Sequence, residues 1–360
     1  MATGAVGILV LNYNSRPFLK DCLHSLIRQT YGNFEIFLID NHSSDGSAAF
    51  VRQNFPAVRV IENGQDYGLG RGFNEGIRRI HRDFEYVALL NSDIQCDPGW
   101  LEETVNTLRS RPEAAASTGL TLDWEGKIVD NAGGRVMNLL MGIFGGFLTG
   151  VPLEDIPYGF KHECFRVFLF IANALVIRSS AFTRFGFFDE GFFMHFSDID
   201  FSWRISLGGG GIWCQPKAVV RHYGYGAKNP KQTELKMAQS SETNLLATYF
   251  KNLSAGTLLV LLPLVGMIRA LISLIYIPIS PRITLRKLKG LAVFLFGLIT
   301  GRYRQGRRLA QGLRTLSDRQ ALAMNNGPLF SIVPIMKLFY PWFKWIEKNY
   351  LKWKIQGSQG

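Results

Sequence analysis

Short apolar runs alternate with amphipathic stretches of helical length through the first half of the chain, the pattern of βα units wound around a mostly parallel sheet. Residues 6–11 read as the first strand. Residues 15–29 place Phe18, Leu19, Cys22, Leu23, Leu26 and Ile27 on one face at helical spacing, with Ser15 as the expected cap. Residues 34–39, 58–61 and 86–90 supply three more strands, and a Gly-rich turn leads into a helix expected over 72–82. Each early strand runs out into polar residues: Asn12, Tyr13 and Asn14; Asp40 and Asn41; Asn91, Ser92 and Asp93. Ligands of open α/β sheets gather at the carboxyl ends of strands, so these three segments are expected to line one crevice. Residues 123–163 are Gly-rich and give no element by pattern, 165–177 read as a strand, and 218–222 as a last short one.

Charge separates the chain into two parts. The formal net charge is +12, and from Lys251 onward 17 lysines and arginines face only Asp318 and Glu347. Apolar runs such as 258–268 and 291–299 lie between these charges, which favours an anionic membrane surface over nucleic acid. The four cysteines, Cys22, Cys96, Cys164 and Cys214, have no paired-ligand spacing, which speaks against a zinc site or a disulfide framework and fits a reducing compartment. No basic segment leads into a long apolar core near residue 1, so the cytoplasm is the expected compartment.

Six ordered motifs carry the chemistry: LNYN (11–14), IDNHSSDGS (39–47), DYGLGRGFNEGI (66–77), LLNSD (89–93), GFFDEGFFMHFSDIDFSWR (186–204) and AVVRHYG (218–224). Together they resemble family 2 glycosyltransferases, and among these the bacterial rhamnosyltransferase-like enzymes. The resemblance spans roughly residues 5–226. It implies an A-type glycosyltransferase fold, which is an α/β, Rossmann-like, mostly parallel sheet, and inverting transfer of one sugar from a nucleotide diphosphate donor. A catalytic domain over 1–245 would then be followed by a basic, apolar, helical membrane-associating region over 246–360.

The same resemblance implies roles for particular residues. Asp40 would accept a hydrogen bond from the donor's base, which Tyr13 would border, with Asn14 alongside. Arg71 would approach the phosphates and Asn74 would help hold the donor; the plain alternative for Gly68, Gly70 and Gly72 is a tight turn and close helix packing. NSD at 91–93 stands where such enzymes carry a DxD metal motif, and here Asn91 leaves Asp93 as the strong anionic ligand. His222 would be the second protein ligand, in a set that suits Mn²⁺ or Mg²⁺. Asp198 would be the general base. Ser197 replaces a glutamate usual in such enzymes, while Asp200 and Arg204, four residues apart, read as a buttressing pair. Trp124, His195 and Trp203 are candidates for the acceptor side.

The donor is expected to be dTDP- or UDP-linked, carrying rhamnose or another hexose, and the acceptor to be lipid-linked or a membrane-associated glycan in cell-surface polysaccharide synthesis. The opposing reading is a catalytically idle sugar-nucleotide-binding scaffold at the membrane. A processive synthase would carry a QxxRW motif, which SWRI lacks, and a nucleotidyltransferase a Gly-rich basic signature after the first strand, which NYNSRPF is not. In the tail, residues 253–280 are interrupted by Arg269, Pro263 and Pro278. Peripheral or monotopic attachment to the cytoplasmic face, through helices lying in the interface, is therefore expected over a clean span. Arg282, Arg286, Lys287, Lys289, Arg302, Arg304, Arg307 and Arg308 would meet head groups, and Trp342, Trp345 and Trp353 would sit at the boundary.

Overall fold

The computed structural model describes residues 2–224, 230–278 and 280–325; Trp342, Trp345 and Trp353 lie outside them. The chain opens with β1 (Ala2–Asn12), α1 (Arg16–Ile27), β2 (Phe34–Asp40), α2 (Ser47–Asn54), β3 (Arg59–Glu62), α3 (Gly68–Ile80) and β4 (Phe84–Asn91). It continues through β5 (Ile94–Cys96), α4 (Trp100–Ser110), β6 (Ala114–Asp123), β7 (Val129–Asn131), β8 (Gly134–Asn138), β9 (Ile143–Gly146), α5 (Tyr158–His162), β10 (Phe165–Val167), β11 (Ala174–Arg178), α6 (Ser179–Phe185), α7 (Ser197–Leu207) and β12 (Gly211–His222). Five C-terminal helices follow: α8 (Pro230–Asn252), α9 (Ala255–Ile275), α10 (Pro281–Ile299), α11 (Arg304–Gly312) and α12 (Asp318–Leu322). The boundary expected at 245/246 falls inside α8.

The main sheet runs β10-β12-β6-β11-β4-β1-β2-β3, with β5 on β12 and β7 on β6, while β8 and β9 form a separate hairpin. Its β4-β1-β2-β3 half is parallel, as is the β6–β12 pair; β11 is antiparallel to both β4 and β6 and joins the two parts. Strands such as β1 are buried on both faces, from Val6 to Val10, because helices cover each side. One face packs α3, α6 and α7, the other α1 and α4, around separate apolar clusters. A third cluster, with Trp203, Tyr249, Leu261 and Phe294, joins α7 and the β8–β9 hairpin to the C-terminal helices.

Several expectations change. Ser15 stands at the N-cap of α1 without capping it: its hydroxyl donates to the Tyr13 carbonyl, and the Asp45 carboxylate accepts from the Arg16 N–H instead. The single strand expected over 165–177 is two, β10 and β11, which pair with different partners; an unbroken apolar run carries no sign of where the chain changes neighbours. The stretch without predicted elements, 123–163, holds β7 and the β8–β9 hairpin. The Gly-rich "turn" is the first turn of α3, which starts at Gly68.

The tail differs as well. Residues 255–275 form one helix running through Pro263 and Arg269, with a window of mean hydropathy 2.5 that is only 17% buried, long and apolar enough to cross a membrane. Arg269 does not break it because the buried Glu242 on α8 pairs with its guanidinium. Lys287 also pairs with Glu242, and Arg307 donates to the Phe250 and Leu253 carbonyls, so neither is a free head-group contact. Arg282, Arg286, Lys289, Arg302, Arg304 and Arg308 are exposed.

Candidate functional site

The parallel register brings the polar strand ends together. Asn12 lies beside Asp40 across β1 and β2, and Leu11 lies beside Asn91 across β1 and β4. Asp40 is buried; it accepts from the Asn12 amide at 2.8 Å and from the Ser43 N–H at 2.9 Å. It thus closes the turn after β2 while holding a carboxylate at the crevice floor. Asn14, at φ 50°, accepts from the Ser44 N–H and donates its own N–H to the Ser43 hydroxyl, fixing the same turn. Tyr13 is half exposed above them.

The next motif packs against protein. A Cβ at Gly68, whose φ is +70°, would sit 1.9 Å from the Phe193 carbonyl oxygen, and one at Gly70 would press on Ser197 and Phe188. These glycines let α3 approach the 186–197 segment, the close packing that the plain alternative expects. Asn74 is fully buried and its amide is spent on that segment, donating to the Phe188 carbonyl and Glu190 and accepting from the Phe188 N–H. Its contribution is to fix the loop. Arg71 stacks on Tyr67 at 3.9 Å and stands 3.7 Å from Glu190.

A cavity of about 380 Å³ opens beside these strand ends, and its wall includes Asn91, Asp130, Asn173, His195, Asp198 and His222. Asp198 lies in the first turn of α7 and accepts from the Ile199 N–H at 2.9 Å and the Ala172 N–H at 3.5 Å. Burial pushes its pKa above the ordinary aspartate value, against those N–H groups and nearby His195, which suits a base that must be both ionised and proton-accepting. His195 shifts the other way, lowered by burial. His195 and Phe196 both adopt left-handed backbone, φ 56° and 68°, a conformation that persists where surroundings over-determine it. Asn244 on α8 does so here, donating to the Met194 and His195 carbonyls.

Behind this turn, Asp200 accepts from Arg204 at 3.0 Å and pairs with Lys251 at 2.8 Å, all three being buried. Lys251 reaches Asp189 at 2.7 Å as well. The buttressing role expected of Asp200 and Arg204 is the arrangement found, with Lys251 of α8 added.

Opposite Asp198, His222 ends β12. Its Nε2 is 3.5 Å from Asp93 and its Nδ1 is 2.9 Å from Asp130. Burial by itself would depress this imidazole, but the hydrogen bonds and charges of Asp130 and Asp93 carry its pKa up to about 9. The two carboxylates that draw positive charge to this corner would equally favour a bound cation, which would take the place of the proton on the imidazole. With Asp130 holding Nδ1–H, Nε2 is the nitrogen left to ligate, the usual carboxylate–histidine–metal orientation. Asp93 and His222 thus fit a divalent ion as two protein ligands. Among the described residues no group of three or more His, Cys, Asp or Glu forms a ready metal cage, so the remaining positions would fall to diphosphate and water.

Asp130 was not among the sequence candidates. It sits in the stretch without legible elements, where the alternate burial of Val129 and Asn131 shows only in the folded chain. Of the three acceptor-side candidates, His195 lines the cavity. Trp203 does not: it is fully buried against Phe168, Phe144 and Tyr249 because α7 turns it into the third core cluster. Trp124 packs edge-on against Tyr223 at 5.6 Å, next to His222.

Residues 7–132 match Glycosyl transferase family 2. The N-acetylglucosaminyl-diphospho-decaprenol L-rhamnosyltransferase of Mycobacterium tuberculosis is 26% identical over 239 residues, covering 61% of this chain and 76% of that protein. The rhamnosyltransferase WbbL of Escherichia coli is 24% identical over 225 residues, covering 61% and 84%. The solved structure of GalNAc-T7 with UDP, GalNAc and Mn²⁺ superposes with a TM-score of 0.51 at 18% identity, over 61% of this chain and 43% of that one; this likeness bears on the fold.

Proposed function

Since the chain carries a family 2 glycosyltransferase domain and is similar to bacterial rhamnosyltransferases, we propose that it transfers one sugar, with inversion, from a nucleotide diphosphate donor to a lipid-linked acceptor at a membrane. The observation that carries this reading is a single cavity with Asp198 on one wall and His222, paired to Asp93, on another. Asp40 and Tyr13 would border the donor's base, while Asn74 and Arg71 stabilise the loop closing that side. Asp198 takes the proton of the acceptor hydroxyl as its oxygen attacks the anomeric carbon opposite the departing diphosphate, which inverts the configuration. A divalent cation held by Asp93 and His222, Mn²⁺ or Mg²⁺, would supply positive charge to the leaving group.

The named M. tuberculosis relative acts on a diphospho-decaprenol-linked sugar, and rhamnose from a dTDP- or UDP-linked donor is the first substrate to try. A membrane site of action is supported by α9 and α10, whose exposed residues include Leu259, Leu271, Leu285, Phe296 and Ile299. Asp198 and His222 in the walls of one cavity favour an enzyme over an idle scaffold. The test is a donor screen on detergent-solubilised full chain with membrane lipid extract, reading released nucleoside diphosphate and the anomeric configuration of the product. Retention of configuration, or no turnover with any donor, refutes the proposal.

A further inference from the structure

The base sits on a helix that begins without a capping side chain. Phe196 occupies the N-cap position of α7 and offers no side-chain hydrogen bond, so the local sequence does not fix where the helix starts or how it presents Asp198. Phe196 and His195 before it both hold left-handed backbone, φ 68° and 56°, a region disfavoured for residues with a Cβ. Two such residues in succession persist only where tertiary contacts hold them.

The carbonyls of the turn identify those contacts. Phe193 accepts from the Leu69 N–H of α3 at 3.1 Å, and Phe196 accepts from the Asp200 N–H at 2.8 Å, which opens α7. Between them, the Met194 and His195 carbonyls both accept from one donor, the Asn244 amide of α8, at 2.9 and 3.2 Å. Asn244 is buried and lies behind the turn: it lines a cavity of about 360 Å³ with Phe192 and Phe193, apart from the one that Asp198 lines. One amide from α8 therefore completes the carbonyl pairing that carries the chain from α3 to the base.

Other contacts of α8 reinforce this one. Lys251, about two helical turns beyond Asn244, pairs with Asp189 and Asp200, which flank the turn on either side. One face of α8 thus grips the base segment at several points. Glu242, on the same helix, pairs with Arg269 of α9 and Lys287 of α10. The base turn is in this way tied through α8 to the two helices that carry exposed apolar residues.

We propose that Asn244 is the positioning residue of the base: its amide sets the left-handed turn at His195 and Phe196, and the turn sets where α7 presents Asp198 to the cavity. The inference rests on the transferase reading above and adds that α8 belongs to the catalytic unit. Asn244 acts through two carbonyls and does not touch the reacting groups.

The test replaces Asn244 in the full chain in detergent. Asn244→Leu keeps the volume and removes both donations, while Asn244→Ser removes the amide and leaves the site polar. Nucleoside diphosphate affinity and thermal unfolding report that each is folded; should one fail that check, the other decides. Turnover should fall about ten- to a hundredfold, the scale of a catalytic group displaced by about an ångström, with donor KM within about twofold of wild type. Amide hydrogen exchange across residues 194–200 should accelerate while α3 stays protected, a readout that needs no turnover. Phe196→Asn supplies a residue that takes left-handed backbone at lower cost, so Asn244→Ser should lose less turnover in that background than in wild type. Undiminished turnover in a folded Asn244 variant, unchanged exchange across 194–200, or the same loss in both backgrounds overturns the positioning role and leaves the transferase reading standing. A wild-type chain that turns over no donor overturns that reading instead, and the exchange experiment still decides whether Asn244 holds the turn.

Discussion

Replacing Asp198 by asparagine removes the proposed base while changing little else. The amide has the shape of the carboxyl, and its oxygen can still accept from the Ile199 N–H at 2.9 Å, the shorter of the two backbone contacts. The longer one, from the Ala172 N–H at 3.5 Å, contributes little to the turn, which is held by Asn244 and by the Asp200–Arg204–Lys251 network. Folding should therefore survive. Losing a positioned base costs about 10²–10⁴ in turnover, or roughly 3–5 kcal/mol of barrier, and donor affinity should stay within about twofold because the donor side lies across the cavity. The pH profile adds a sign. Burial raises the Asp198 pKa, so the proton-accepting form is lost as pH falls through that raised value, and wild-type turnover should decline on the acid side. In Asp198→Asn that acid limb should vanish along with the rate. The assay is released nucleoside diphosphate under saturating donor, across pH, beside a calorimetric donor titration. An asparagine variant with undiminished turnover, or one whose slow residual rate keeps the same acid limb, refutes the assignment.

Chelation with EDTA should abolish transfer and added Mn²⁺ or Mg²⁺ restore it, and Asp93→Asn should weaken Mn²⁺ binding read by electron paramagnetic resonance; full activity in metal-free protein would refute the ligand pair. Asp200→Asn leaves Lys251 and Arg204 buried with one anion fewer, and should lower unfolding free energy by about 3–5 kcal/mol in denaturant titration, whereas an exposed pair such as Arg52–Glu62 should be worth less than about 1 kcal/mol. Trp203→Ala should cost about 3–5 kcal/mol of stability with acceptor KM unchanged in the folded fraction, since that ring is core; a selective KM effect would return it to the acceptor site. The double substitution Leu259→Asp and Leu271→Asp, at exposed positions of α9, should release the full chain from anionic vesicles in flotation without loss of donor binding; continued flotation would show that attachment lies elsewhere.

Much of the sheet-bearing part was legible in the chain itself. Strand ends announce themselves where an apolar run meets Asn12, Asp40 or Asn91, because a parallel strand buried on both faces has to be apolar to its tip. A parallel register then leaves those tips at one edge, so their convergence needed no side-chain detail. The i, i+4 spacing of Asp200 and Arg204 likewise predicts its own contact, since a helix brings these positions together whatever surrounds it. Local repetition with a fixed period is what a sequence can state.

What the tertiary structure decided depends on partners far apart in the chain. That Gly68 and Gly70 admit Phe193 and Ser197 depends on a segment more than a hundred residues away. Trp203 belongs to the core because Phe144 of β9, Tyr249 of α8 and Phe168 just after β10 surround it. Asp130 reaches His222 from across 92 positions, out of a Gly-rich stretch whose weak periodicity hides its strands. Arg269, which breaks the apolar run when read along the chain, is accommodated inside a helix because Glu242 neutralises it from α8. Charge pairing and close approach are set by distance in space, and a single sequence carries that information only after the fold has brought the partners together.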